Sequence, residues 1–147
     1  LVDGTGDPWR HADVAVRGDR IVRVAPGGAL ATAPARTRID ARGHVVTPGF
    51  IDIQSHSWAP LLWRDGRVVG KVAQGVTTEI LGEGATPAPT NDAVRAAQAG
   101  DATPAALLES FRGARGFGAW LDAMDRHPTS VNVGSYLGAE TVRVYAM

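Results

Sequence analysis

The sequence contains no cysteine, which excludes both a disulfide framework and a thiolate metal site. It carries no net charge, with 15 basic and 15 acidic residues, so nothing in the composition draws the chain toward nucleic acid or an anionic membrane. No stretch approaches the roughly 18 consecutive apolar residues of a membrane span, and no signal peptide is recognisable. A cytoplasmic location is the expectation. The chain opens at Leu1 without an initiator methionine and stops at Met147 without a tail, so both termini read as cut. What remains is 44% hydrophobic residues in a chain of 147, enough for one ordinary domain with a real core.

Three textures follow one another. From Leu1 to Thr47 short strands and turns are expected. Asp13–Arg17 and Arg20–Val24 both alternate with period two around Gly18-Asp19, which predicts a β-hairpin with apolar residues on one face. An Ala/Pro-rich loop runs on to Arg36, and a turn at Ala41-Arg42-Gly43 follows. From Pro48 the pattern becomes strand, helix, strand. Phe50-Ile51-Asp52-Ile53 is dense in strand formers, and Val68, Val69 and Val72 fall at helical spacing before Gly75. Val76–Leu81 then reads as a second strand, closed by Gly82-Glu83-Gly84. This succession is the signature of parallel βαβ units. In the third region Thr103-Pro104 predicts a helix start. Phe117, Trp120, Leu121 and Met124 fall on one helical face, Pro128 ends that helix, and Ser130–Tyr136 reads as a third strand.

Candidate chemistry gathers at the strand ends. Alternation along the first strand places Phe50, Asp52, Gln54 and His56 on one face, and Ile51, Ile53 and Ser55 on the other. The isoleucine face is expected to pack against helices. The opposite face lines an acid, an amide and an imidazole toward the C-terminal end of the strand, where parallel α/β folds bind ligands. The second strand repeats the arrangement with Glu79, Leu81 and Glu83. His11, His44 and His127 fall in turns or at a helix end and read as structural. Of the tryptophans, Trp9, Trp63 and Trp120 read as packing residues, and Trp58 alone, directly after His56, is placed to line a pocket.

The run Ile39-Asp40-Ala41-Arg42-Gly43-His44-Val45-Val46-Thr47-Pro48-Gly49-Phe50-Ile51-Asp52-Ile53-Gln54-Ser55-His56 resembles the opening segment of the amidohydrolase superfamily, where a Pro-Gly-Phe-Ile-Asp strand leads into a His-X-His metal pair. Leu1–Gly6 and Gly18–Ile21 look like that superfamily's N-terminal β-sandwich. Lys71-Val72-Ala73-Gln74-Gly75-Val76-Thr77-Thr78, Phe117–Met124, Val131-Asn132-Val133 and Thr141-Val142-Arg143 narrow the likeness to the N-acyl-D-amino-acid deacylase (D-aminoacylase) branch. The resemblance implies an α/β fold: residues 1–47 as a β-sandwich portion, and residues 48–147 as the first three βα units of an incomplete (β/α)8 barrel. A complete barrel needs about 250 residues.

Two positions depart from the family pattern. Gln54 stands where the first histidine of the pair belongs, and an amide oxygen is a poor zinc ligand. After the second strand the branch shows Gly-Asn-Cys-Gly, with the cysteine as ligand, whereas this chain has Gly82-Glu83-Gly84, one residue fewer. Aligned with a gap, Glu83 takes the cysteine's place; without one, it takes the asparagine's. The gapped alignment is preferred, because a carboxylate can ligate where a thiolate did. The resemblance then implies one zinc ion with His56 and Glu83 among its ligands, and Asp52, Gln54 and Trp58 around the metal or the substrate. The other histidines and the general-base aspartate are expected downstream, so no catalytic residue is expected within this chain. The implied reaction is hydrolysis of N-acyl-D-amino acids, a small-molecule activity without nucleic-acid or membrane partners. The isolated chain is expected to be inactive and poorly stable. Two other readings are a non-catalytic scaffold, to which Gln54 lends weight, and a hydrolase of cyclic amides like the dihydropyrimidinases. The oligomeric state is not legible.

Overall fold

A computed structural model describes residues 1–100 and 103–147. The chain divides into two compact units, Leu1–Pro48 and Gly49–Met147.

In the first unit β1 (Ala12–Arg17) pairs antiparallel with β2 (Arg20–Pro26). Gly18, with φ of 60°, takes the left-handed conformation that the tight turn requires. The hairpin lies where the alternation predicts it. Its apolar side chains, however, are largely open to solvent: Val16, Ile21, Val22 and Val24 are exposed, and of the strand residues only Ala25 is buried. The rest of the unit is held by individual bonds rather than by a second sheet. Asp13 accepts the Leu30 N–H at 2.9 Å and draws the Ala/Pro-rich loop back onto β1. The N–H of Val2 donates to the carbonyl of Val46 at 2.9 Å. Among the described residues the unit contains a single two-stranded sheet.

The second unit is mixed α/β. Three parallel strands, β3 (Phe50–Ser55), β4 (Val76–Leu81) and β5 (Asn132–Ser135), lie in chain order in one sheet. Between β3 and β4 run α1 (Trp58–Leu62) and α2 (Val69–Val72). Between β4 and β5 run α3 (Asp92–Ala97), α4 (Ala105–Ser110) and α5 (Gly116–Arg126), and α6 (Ala139–Ala146) follows β5. No helix among the described residues is long and apolar enough to cross a membrane.

Local chemistry accounts for the placing of these elements. Gly75, with φ of +82°, ends the turn after α2, and its carbonyl accepts the Phe50 N–H at 2.9 Å. Gly49 sits so close to Thr77 that a Cβ would overlap the threonine side chain. That contact explains glycine before Phe50 by close approach rather than by backbone freedom. Asn91 caps α3, its side chain accepting the Val94 N–H at 2.9 Å.

Several boundaries differ from the sequence reading. The helix expected around Val68–Val72 is a single turn. Thr103 does not cap α4: Pro104 does, with φ of −58° and ψ of 130°, because its extended ψ leaves Ala105 as the first helical residue. The third strand is shorter than Ser130–Tyr136 and keeps only Asn132–Ser135. The core gathers Leu61 and Leu62 of α1, Val68, Leu81, Phe111, Trp120 and Met124 of α5, and Val131. The amphipathic reading of α5 holds, with Trp120 and Met124 buried and Phe117 and Leu121 packed at the edge.

Candidate functional site

The site is set by an irregularity in β3. Asp52 pairs with Glu79, but Ser55 pairs with Leu81, so three steps along β3 match two along β4. Such a bulge re-aims the side chains that follow it. Ser55 thereby joins the face of Asp52, Glu79 and Leu81. Leu81 belongs to the helix-packed core, and Val133, paired with Glu79, packs against the same core. The polar residues therefore face the helices, while Ile51 and Ile53 are 62% and 72% exposed. This overturns the expectation that the isoleucines meet the helices. Period-two alternation separates two faces but cannot say which of them a helix will cover.

On the helix side the polar groups find partners. Lys71 of α2 donates to Asp52 Oδ2, and the Gln54 N–H donates to Asp52 Oδ1 at 3.1 Å. The lysine hydrogen bond, then the Gln54 N–H, hold the Asp52 carboxyl below its ordinary range, and Asp52 in turn raises the Lys71 ammonium. Both side chains are only partly exposed. The sign of the pH dependence follows. A lowered Asp52 contributes stability fully above its unfolded value of about 3.9, and the contribution is lost as pH falls through the folded value. A raised Lys71 contributes below its unfolded value of about 10.4, and the contribution is lost as pH rises through the folded value. The urea midpoint of Asp52→Asn is therefore expected to lie below that of the parent at neutral pH and to converge with it in acid. A gap that stays constant down to strongly acid pH would refute the ion pair as its source.

Glu79 is fully buried. Its Oε2 accepts the Ser55 hydroxyl, and its Oε1 has no partner. Ser55 Oγ in turn accepts the Ser57 hydroxyl at 3.1 Å and the Ser57 N–H at 3.2 Å. The Ser55-His56-Ser57 turn is thus tied to the interior of β4.

The residues expected to hold metal stand just beyond the ends of adjacent strands. His56 follows β3 directly and is exposed; its ring lies 5.7 Å from that of Trp58, edge to face at 84°. Trp58 opens α1 and packs partly against the core. Glu83 lies two residues beyond β4 and is exposed, as is Gln54. Asp52 is drawn instead to Lys71. Among the described residues no three His, Asp or Glu side chains come together as a metal cage. An imidazole and a carboxylate suit zinc, which takes three protein ligands and an open position when catalytic; the donor set here fits two of them.

The loop carrying Glu83 is firmly held on its downstream side. The Thr86 N–H donates to Thr141 Oγ1 at 2.8 Å, and that hydroxyl donates to the Thr86 carbonyl at 2.8 Å. The Glu140 N–H reaches the Gly84 carbonyl at 3.1 Å, and Thr86 through Thr90 are all buried. The sequence reading missed this clasp and the role of Ser55. The threonines flanking the prolines of Thr86-Pro87-Ala88-Pro89-Thr90 were its only visible trace, since their partner Thr141 lies 55 residues away.

This is an α/β unit with polar side chains at the C-terminal ends of parallel strands. No family model and no solved structure matches the chain. Curated proteins do. The whole chain is 40% identical over 151 residues to a D-aminoacylase of Alcaligenes xylosoxydans xylosoxydans. It is likewise 40% identical to an N-acyl-D-aspartate deacylase and 34% identical to an N-acyl-D-glutamate deacylase of the same organism. It spans only 28–29% of the length of these relatives. The chain belongs to the D-aminoacylase family of N-acyl-D-amino-acid deacylases.

Proposed function

We propose that the whole protein hydrolyses the amide bond of N-acyl-D-amino acids, releasing a carboxylate and the free D-amino acid, with one zinc ion at the ends of β3 and β4. The observation that carries this reading is the end-to-end similarity to three relatives named for that class of activity. The exposed face bearing Ile51 and Ile53 is then the interior side of a (β/α)8 barrel, completed by strands that match the remainder of the relatives. That reading also supplies the missing metal ligands and the general base from outside these residues.

His56 and Glu83 are the two groups of this chain that would hold the ion, the first through an imidazole nitrogen and the second through a carboxylate oxygen. When bound, zinc supplies Lewis acidity toward the scissile carbonyl and the attacking water. The chain's own contribution is placement. The bulge in β3 directs Ser55 inward and leaves His56 at the rim, and the Thr86–Thr141 clasp holds the loop of Glu83. Trp58 stands beside His56, where an apolar acyl group or side chain can lie.

The test is amide hydrolysis of N-acetyl-D-amino acids, their L-isomers and a dihydropyrimidine by the zinc-loaded whole protein, read as free amino acid from the acetyl substrates and as ring opening of the cyclic amide. Turnover of the D-isomers is expected, with none by the 147-residue chain alone. Turnover of the cyclic amide only, or of nothing, would overturn the assignment. Deacylation by the isolated chain would overturn the division of the site.

A further inference from the structure

Burying a carboxylate in a hydrophobic core is costly unless every lone pair is met, and Glu79 leaves one of its oxygens unmet. A role in stability alone would be served better by leucine at this position. The one hydrogen bond that Glu79 makes is to Ser55, the residue immediately before His56. Ser55 in turn holds the residue immediately after it, through the Ser57 hydroxyl and N–H. On the other strand, Glu79 lies within β4, four residues before Glu83. One buried side chain thus joins the turn that presents His56 to the strand that leads to Glu83.

We infer that Glu79 is a positioning residue for His56, fixing through Ser55 the backbone on which the imidazole stands; this rests on the reading of His56 as a metal ligand. Metal affinity depends on such outer partners, whose loss typically weakens binding 10- to 100-fold. The bulge between Asp52 and Ser55 is the local distortion that brings the serine hydroxyl to the carboxylate. Lys71, bound to Asp52, places a cation beside the residue that pairs with Glu79.

The experiment uses the whole protein and three variants. Glu79→Leu removes the carboxylate, Ser55→Ala removes its donor while leaving the buried volume nearly unchanged, and Glu79→Gln keeps an oxygen that still accepts from Ser55. Each is measured for urea midpoint, for His56 rotamer averaging from NMR side-chain couplings, and for the dissociation constant of zinc alone. For Glu79→Leu a midpoint equal to or above the parent's is expected, together with an averaged His56 rotamer and about 10-fold or greater loss of zinc affinity. Ser55→Ala should show the same two losses, and Glu79→Gln should stay near the parent. A fixed His56 rotamer and unchanged zinc affinity in both Glu79→Leu and Ser55→Ala would overturn the inference; should the leucine variant not fold, Ser55→Ala decides alone. His56→Ala serves as the separate control. If it leaves zinc affinity untouched, the metal-ligand reading of His56 fails, and the rotamer measurement still decides whether Glu79 positions the ring.

Discussion

Replacing Trp120 by alanine is expected to destabilise the second unit by about 3–5 kcal/mol, the usual range for emptying a buried aromatic site. Trp120 is 0% exposed, packs its ring 5.5 Å from Phe117, and sits in the cluster that joins α1, β4 and α5. Against a typical total of about 5–15 kcal/mol, that loss is a large fraction of the stability. Trp120→Phe should cost clearly less, because it keeps a ring in the cavity and removes an indole N–H that has no partner. Urea unfolding monitored by circular dichroism decides the matter. A loss below about 1 kcal/mol for the alanine variant would mean that the helices are not held through this residue.

Gly82→Ala is expected to be the most damaging change at the rim itself. Gly82 has φ of +83°, and a Cβ there would run into the Tyr136 backbone, with the carbonyl carbon at 2.8 Å and Ser135 Oγ at 2.9 Å. Neither neighbour can retreat cheaply, because the Tyr136 N–H donates to the Leu81 carbonyl at 2.9 Å. A forbidden conformation costs about 1–3 kcal/mol and backbone crowding a similar amount, so about 2–6 kcal/mol is expected, with Glu83 displaced. Gly84 provides the control: a Cβ there meets nothing within 4 Å and its φ is unremarkable, so Gly84→Ala should stay within about 0.5 kcal/mol. Equal effects from the two alanines would show that the close approach of Gly82 to Tyr136 does not set the loop. The sequence Gly82-Glu83-Gly84 looks symmetrical, and only the packing tells its two glycines apart.

The same distinction runs through what was legible in the sequence. Strand β4 and the hairpin could be read because their signals are local: a dense run of β-branched residues in β4, period-two alternation in the hairpin, and glycines as punctuation. The apolar face of α5 was equally local. What escaped depends on partners far along the chain. The bulge in β3 has no signature in Phe50–Ser55, since it arises from pairing with β4; it parts Ser55 from Ile51 and Ile53, which are exposed, and sets it on the helix side with Asp52. Helix α1, beginning at Trp58, is short, and its N-cap Ser57 makes no side-chain cap bond; it was not read from the sequence. The pairing of Thr86 with Thr141, 55 residues apart, is not legible until the fold brings them together. Of the candidate site, His56 and Glu83 were readable as donor types beyond the ends of adjacent strands, while the buried contact of Ser55 with Glu79 behind them was not.

His56 and Glu83 are proposed as ligands of one zinc ion in an N-acyl-D-amino-acid deacylase. The most direct test is metal content per chain of the whole protein, purified in zinc and compared with His56→Ala, Glu83→Gln and the double variant, with D-amino-acid release assayed on the same samples. The parent is expected to hold one zinc, each single variant to lose most of it together with activity, and the double variant to hold none. A double variant that keeps its full zinc and its activity would contradict the account.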